Sequence, residues 1–293
     1  MILPFDSHNH IHLGPTPPLQ ALLGPTASLT DASAAAAVSG VAIMSTHPRD
    51  FDRVIGLAKE LPLQRPSVRV IPCFGVHPWF LHELMDSDWA VADDDASFAQ
   101  LPKWAATIEQ LVAFTPGAIV GEIGLDGFHF DPVTKELVSP MEKQVLAFQI
   151  QMEIAARLQK PVSVHGVQCF GSLMETLSQL KKSKIKLPPK IYFHAFGGKL
   201  GTVDQLLALC GKEPGQVYFG FASVVNFRSS KTKDVIRRVG IERLVLESDH
   251  EDAALVPTAL QDCIRYVAEA LELDEQTVIE ATTANAYDLY GLE

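Results

Sequence analysis

The residues suited to chemistry are histidines and carboxylates that follow short apolar segments. The first such segment leads into DSHNH, in which His8 and His10 are two residues apart. Because side chains of a strand alternate between its two faces, we expect His8 and His10 to project to the same side and bind one ion together. Imidazole nitrogens suit zinc, manganese, iron and related divalent ions.

Four further donors follow other apolar segments. Glu122 in GEIGLD carries two separable oxygens, so it is suited to bridge two cations, and a structural carboxylate is the alternative. His165 closes PVSVH and His194 closes IYFH. Asp249 in LVLESD is predicted to be a ligand or the carboxylate that orients and deprotonates an attacking water.

Four histidines, one glutamate and one aspartate suit two ions roughly 3.5 to 4 Å apart better than a closed structural zinc site. The predicted cofactors are therefore two divalent metal ions, with Mg, Mn and Zn all open. Glu122 and Asp249 are the predicted catalytic residues. The predicted metal ligands are His8, His10, Glu122, His165, His194 and Asp249.

The segments that position these residues alternate between β-rich apolar runs and longer helical patterns. This order is typical of βα units, and eight runs predict a single-domain (β/α)8 TIM barrel over residues 1–293. No linker or composition shift marks a second domain. The predicted strands are residues 2–5, 40–44, 68–74, 118–120, 162–164, 191–193, 217–219 and 244–246.

Two local patterns predict details of the connections. Ser139 and Glu142 form an S-x-x-E pattern around Pro140, which predicts a capping box at the start of a helix. The acidic stretch 86–95 predicts a loop insertion after the third strand, and its charge argues against long duplex substrates.

All ten histidines lie at the end of a predicted strand or in the loop that follows it. In a (β/α)8 barrel these loops share the C-terminal rim, where the active site is assembled. We therefore expect the histidines to converge in space. They are His8, His10, His12, His47, His77, His82, His129, His165, His194 and His250.

Composition narrows the classes of partner. The formal net charge of −11 disfavours a broad electrostatic footprint for nucleic acid, so any phosphate must be attracted locally. The four cysteines form no CxxC pair, which favours a reducing cytosol, with the nucleus as the alternative. No stretch of about 18 apolar residues predicts a membrane span.

Taken together, the motifs resemble the TatD family of metal-dependent deoxyribonucleases. DSHNH is similar to that family's opening D-x-H-x-H, HAFGG to H-x-F-x-G, and ESD to E-T-D, while GVHP, GEIGLD and PVSVH lie between them in order. The closing ATTANAYDLYGL is similar to N-A-x-x-L-F. The resemblance implies that His8 and His10 bind one metal, Glu122 bridges, His165 and His194 complete the second site, and Asp249 serves the metal and its water.

The chain departs from that family at three positions. His12 stands where many members have aspartate, and His250 stands where a small residue usually precedes proline. Val167 replaces the arginine of H-x-R. Because a guanidinium binds a pair of phosphate oxygens, its loss alters the predicted substrate pocket more than the metal ligands.

The leading hypothesis is a deoxyribonuclease of the exonuclease type, which hydrolyses a phosphodiester with a metal-activated water. Its partner would be DNA, at single-stranded ends, or a small phosphoester. The predicted substrate-binding residues are His77, Trp79, Arg228 and Lys231. Trp79 would stack a base, with packing as the alternative, and the two cations would recruit phosphate, with a solvated helix start as the alternative.

Two other functions stay open at this point. One is a metal-dependent hydrolase of a small ester or amide, although many binuclear amidohydrolases bridge their metals with a modified lysine where this chain has Glu122. The other is a TatD-like barrel retained as a protein-interaction module. The sequence leaves metal identity, substrate length, oligomeric state and protein partners open.

Overall fold

Eight parallel strands form one sheet whose spatial order is their chain order. The computed structural model describes residues 2–15, 22, 37–91, 101–183 and 186–293. The amide of Asp249 donates to the carbonyl of His8 at 3.0 Å, which joins the last strand to the first. The strands are β1 (Phe5–Asn9), β2 (Gly40–Met44), β3 (Arg69–Phe74), β4 (Ile119–Asp126), β5 (Val162–Val167), β6 (Ile191–Phe193), β7 (Val217–Phe221) and β8 (Leu244–Leu246).

Helices alternate with the strands, so the prediction of a (β/α)8 barrel is confirmed. No described helix is both long and apolar enough to cross a lipid bilayer. The helices are α1 (Phe51–Gln64), α2 (Asp86–Trp89), α3 (Lys103–Phe114), α4 (Met141–Leu158), α5 (Phe170–Lys182), α6 (Leu200–Cys210), α7 (Ser223–Asn226), α8 (Thr232–Val239), α9 (Val256–Leu271) and α10 (Glu275–Tyr290).

Five strands differ from their predicted bounds, and the two that differ most, β1 and β4, do so because polar residues continue them. The first strand was expected over 2–5, but β1 spans Phe5–Asn9, and the fourth was expected over 118–120, but β4 spans Ile119–Asp126. Every residue of both strands is buried, including the polar ones. Apolar runs therefore locate these strands but miss the polar parts that form the site.

Alternate side chains of each strand point into the barrel. Tyr192 and Tyr218 belong to the interior cluster, whereas Phe193 and Phe219 belong to the cluster that packs against the helices. At the N-terminal end of the barrel, the Tyr290 hydroxyl donates to the Ser7 carbonyl at 2.6 Å. Helix α10 thus covers this end, and the opposite end carries the polar residues.

A buried carboxylate joins β1 to the residues after β8. Asp6 accepts hydrogen bonds from the Ser248 amide at 2.8 Å and the Ser248 hydroxyl at 2.7 Å, and from the Asn9 amide group at 3.0 Å. Burial raises the pKa of Asp6 to about 7, although these hydrogen bonds lower it. The contact fixes the position of His8 relative to Asp249.

The predicted capping box is wrong. Helix α4 begins at Met141, and its cap, Pro140, makes no side-chain hydrogen bond. Ser139 is unavailable because its hydroxyl accepts from the His82 amide at 3.2 Å. In the acidic stretch, Asp86–Trp89 forms a short helix rather than a loop, and Asp93, Asp94 and Asp95 lie outside the described residues.

Gly220 on β7 tests the packing of the barrel interior. A Cβ at this position would overlap the Tyr192 hydroxyl and the Glu247 carboxyl group, whereas a Cβ at Gly56 in α1 meets no atom within 4 Å. We predict that Gly220→Ala lowers the free energy of unfolding by about 1 to 3 kcal/mol. Gly56→Ala should raise it by roughly 0.5 to 1 kcal/mol, because alanine favours the helix. Urea denaturation measures both, and an unchanged Gly220→Ala would contradict this packing.

Candidate metal centre

The predicted metal ligands meet at the C-terminal end of the barrel. His8 lies in β1, Glu122 in β4 and His165 in β5, while His194 and Asp249 follow β6 and β8. The side chains of His8 and Glu122 are 0% and 2% exposed, so solvent does not reach the centre from the barrel interior. Asp249 is 17% exposed and lies at its open side.

Glu122 occupies the middle of the cluster, and each of its oxygens faces a different set of nitrogens. Oε2 lies 3.3 Å from Nε2 of His8 and 3.2 Å from Nε2 of His10. Oε1 lies 3.0 Å from Nδ1 of His165 and 2.7 Å from Nε2 of His194. The glutamate thus divides the donors into two groups.

Asp249 belongs to the group on the Oε2 side. Its Oδ1 lies 3.8 Å from Nε2 of both His8 and His10. Its φ of 55° is in the left-handed region, as are the φ of 39° at Ala195 and 49° at Gln168. Such backbone conformations concentrate at functional sites, and these three follow β8, β6 and β5.

Hydrogen bonds outside the cluster orient two of the rings. Nδ1 of His10 lies 2.8 Å from the Met44 carbonyl, and Nε2 of His165 lies 2.9 Å from Oδ2 of Asp126. Both partners only accept, so these nitrogens carry the proton. The other nitrogen of each neutral ring therefore directs its lone pair at Glu122.

A lone pair that faces a carboxylate oxygen at about 3 Å requires a cation between them. In the metal-free protein that cation is a proton: burial lowers the pKa of His10, but the hydrogen bond to Glu122 and its charge raise it to about 9. Burial raises the pKa of Glu122, yet the surrounding imidazoles hold it well below its usual range. Divalent metal ions fit the same donors, since imidazole nitrogen and carboxylate oxygen are their common ligands.

Asp126 is a site residue that the sequence interpretation did not identify. Its Oδ2 contacts His165 and also accepts from Nε1 of Trp79 at 2.8 Å. A carboxylate behind a ligating histidine fixes the tautomer and raises the basicity of the ring. The signal was present, because Asp126 closes the same GEIGLD motif that supplied Glu122.

His77 joins the cluster in a different protonation state. Its Nε2 lies 3.2 Å from Oε1 of Glu122, but its Nδ1 accepts from the Trp79 amide at 3.2 Å. Burial lowers the pKa of His77 to about 4, so the neutral ring carries its proton on Nε2. His77 therefore presents a hydrogen-bond donor to the centre, and its predicted contact with substrate stays a prediction.

Glu247 lies close to the cluster, grouped with His8 and His194. Its oxygens already accept from the Tyr192 hydroxyl and from the Ala195 amide, the latter at 2.6 Å. Burial raises the pKa of Glu247 well above its usual range, and the charge of Asp249 raises it further. Glu247, which follows β8, is thus joined by hydrogen bonds to β6 and the residues after it.

Only half of the ten histidines contact Glu122 within the described structure. The expected convergence is therefore partial. His12 is fully buried with its ring 6.1 Å from that of His10, and His129 packs against Trp79 with ring centroids 4.8 Å apart. The direction of each side chain, not its place after a strand, decides which histidines reach the centre.

A cavity of about 730 Å³ lies beside the centre, between the loops after β5, β6 and β7. Val167 and Val225 belong to its apolar wall. Lys199 and Lys231 line it as well, and neither forms an ion pair with any described residue. Arg228 is exposed and is not among the lining residues, so its predicted contact with substrate stays a prediction.

Comparisons with known proteins identify the family of the chain. A family model described as TatD related DNase matches residues 5–291. The chain is 27% identical to Cut9-interacting protein scn1 of Schizosaccharomyces pombe, covering 85% of this chain and 90% of that one. It is also 27% identical to putative deoxyribonuclease tatdn3 of Danio rerio, covering 87% of each.

A solved structure shares the fold over nearly the full length. The crystal structure of YjjV, a TatD homolog from Escherichia coli, has a TM-score of 0.72 and 22% identity, covering 99% of this chain and 98% of that one. In sequence, the chain is 26% identical to YjjV, an uncharacterised metal-dependent hydrolase, over 98% of this chain and 97% of the other.

Asp126 allows the orientation of His165 to be tested. Asp126→Asn removes the charge but keeps the shape, and an amide no longer fixes the tautomer of His165. We predict that metal affinity falls by about 10- to 100-fold. Competition with a chromophoric chelator measures this affinity. Asp52→Asn, an exposed change in α1, is the matched control and should have no effect; equal affinities for the two variants would contradict the orienting role.

Proposed function

The chain belongs to the TatD related DNase family and is a metal-dependent hydrolase, and from this premise we propose that it hydrolyses phosphodiester bonds at single-stranded DNA ends with two divalent ions. The proposal includes the exonuclease-type reaction and the ligand set expected from the sequence. Its metals are Mg, Mn or Zn. Its compartment is a reducing cytosol or nucleus, in keeping with four free cysteines.

The observation that carries this proposal is the division of donors around Glu122. One carboxylate oxygen faces His8 and His10, and the other faces His165 and His194. A single closed ion would need only one such group. Two groups that share one carboxylate, His8 with His10 and His165 with His194, would hold a pair of ions, and such a pair would stabilise charge on the oxygens of a displacement.

The protein's own residues position the reactants around the ions. When bound, the metals supply Lewis acidity and lower the pKa of a coordinated water. Asp249, at the open side of the centre, accepts the proton of the attacking water on its carboxylate. Burial raises the pKa of Asp249, which makes it a better base than an ordinary aspartate. His77 presents the proton on Nε2 to the centre, where a phosphate oxygen would accept it.

Two lysines supply the positive charge that Val167 lacks. Lys199 and Lys231 line the cavity that Val167 also lines, and no described carboxylate pairs with either. A lysine binds phosphate as a point charge, without the fixed two-bond geometry of arginine. The substrate phosphate is thus attracted locally by an acidic protein.

The apolar wall of the same cavity favours a second candidate, a small ester. Val167, Phe170 and Val225 offer contacts to an uncharged group of the substrate. A retained interaction module is a further candidate, because one relative is named for its interaction with Cut9. The buried carboxylate of Glu122 favours the hydrolase over the interaction module, because a buried charge without a function would destabilise the fold.

Replacement of the two central carboxylates tests the proposal. Glu122→Gln should lose both metals and cleavage together, while Asp249→Asn should keep the metal held by His165 and His194 and lower kcat by at least about 100-fold, within the range for a general base. The assays are metal content by mass spectrometry and release of a labelled 3′ nucleotide from single-stranded DNA. Glu136→Gln, an exposed change near the rim, is the control. Metal-bound protein that cleaves a model ester but no DNA would favour the second candidate.

The lysines at the cavity provide an independent test. Lys199→Met with Lys231→Met should raise KM for the DNA substrate by about tenfold or more and weaken its dependence on salt, because two phosphate contacts are lost. Steady-state kinetics at two salt concentrations measure this effect. Lys212→Met, in the loop between α6 and β7 at the other end of the barrel, should leave both quantities unchanged. An unaltered salt dependence would exclude these lysines from phosphate binding.

A further inference from the structure

The loop between β4 and α4 exposes two phenylalanines on the same rim as the metal centre. Phe128 is 59% exposed and Phe130 is 46% exposed, and their rings meet edge to face with centroids 6.1 Å apart. Between them, His129 is half-buried. We call Phe128, His129 and Phe130 the aromatic hairpin. An exposed aromatic pair at an active-site rim marks a surface for recognition.

Hydrogen bonds hold this hairpin in a defined position. Oδ1 of Asp126 accepts from the amides of Phe128 at 2.6 Å and His129 at 2.9 Å. The Val138 amide donates to the His129 carbonyl at 3.0 Å, which closes the loop. The aromatic rings therefore need little ordering before they contact a ligand, which favours binding.

The aromatic hairpin is continuous with the metal centre through ring contacts. The ring of His165 lies 6.2 Å from that of Trp79, and Trp79 lies 4.8 Å from His129 at an interplanar angle of 33°. Asp126 forms hydrogen bonds with His165, with Trp79 and with the backbone amide of Phe128 at the start of the hairpin. A ligand on the hairpin would thus have a fixed position relative to the ions.

We propose that the aromatic hairpin is a stacking platform for unpaired nucleobases next to the phosphodiester that is cleaved. This inference rests on the proposed function and deepens it, since it names the surface that binds the bases of the single strand. Every base offers a flat π-face, so the platform accepts bases without regard to sequence. Bases in a duplex are already stacked and paired, so a strand end must be open to use the platform.

The charge of the protein strengthens the case for stacking. Most proteins hold nucleic acid by many phosphate contacts, but a net charge of −11 works against a polyanion. Stacking on neutral rings does not depend on charge, so it supplies affinity where electrostatic attraction is restricted to a few lysines. A protein partner on the same surface would have no reason to be aligned with the metal centre through Trp79 and Asp126.

The test replaces both rings and compares DNA with and without bases. In Phe128→Ser/Phe130→Ser, KM for a short single-stranded oligodeoxynucleotide should rise at least about tenfold, with kcat within about twofold. The wild type should lose the same factor on an oligonucleotide whose terminal residues are abasic, and the double variant should then lose nothing further. Phe114→Ser is the matched control, because Phe114 is 84% exposed at the end of α3, on the opposite face.

Each outcome separates this inference from the proposed function. Normal KM in the double variant, with active wild type, overturns the platform and leaves the nuclease proposal intact. If the wild type fails to cleave DNA, the nuclease proposal fails, and the platform is then tested by fluorescence anisotropy of the same oligonucleotide. Binding that requires both phenylalanine rings supports the platform. Binding that is the same without the rings overturns it. A changed oligomeric mass with unchanged DNA binding would show an interface between copies and also overturn it.

Discussion

The structure depends on one buried charge, the carboxylate of Glu122. A carboxylate so far from water is stable only if positive charge or hydrogen-bond donors compensate it. Five imidazoles surround it, and the barrel brings them from four strands or their ends, β1, β3, β5 and β6. Neutral rings with their lone pairs turned inward cannot compensate that charge alone. The arrangement therefore calls for cations, supplied by protons in the metal-free protein and by divalent ions in a metal-loaded one.

The barrel keeps these donors in place through polar contacts as well as apolar packing. Asp6 of β1 accepts hydrogen bonds from Ser248 after β8, and these bonds fix the position of His8 relative to Asp249. Asp126, at the end of β4, orients His165 of β5 by a hydrogen bond in the same way. Both are buried carboxylates with several donors, and each stabilises the geometry of a ligand rather than binding substrate itself. Loss of either would loosen the centre without disturbing the apolar core.

Recognition of a substrate must work against the overall charge of the molecule. Val167 offers no contact to phosphate, but two lysines without described ion-pair partners, Lys199 and Lys231, line the same cavity. The aromatic rings of the loop after β4 offer contacts that salt and charge affect little. This loop adjoins the cavity, because the Gly127 amide donates to the carbonyl of Val167, which lines it. Under the proposed function, this combination would favour short, open ends of nucleic acid.

The sequence by itself determined the barrel and the order of its donors, because periodic apolar runs record burial and the residues after them must share one rim. It indicated four of the five histidines that face Glu122 but not the orientation of their rings, since the direction of a ring depends on partners distant in the chain, such as Met44 for His10 and Asp126 for His165. It also misassigned Ser139, whose hydroxyl bonds to a neighbouring loop instead of its own helix. Only the tertiary structure decided that His77 presents a proton rather than a lone pair, because the Trp79 amide occupies its other nitrogen.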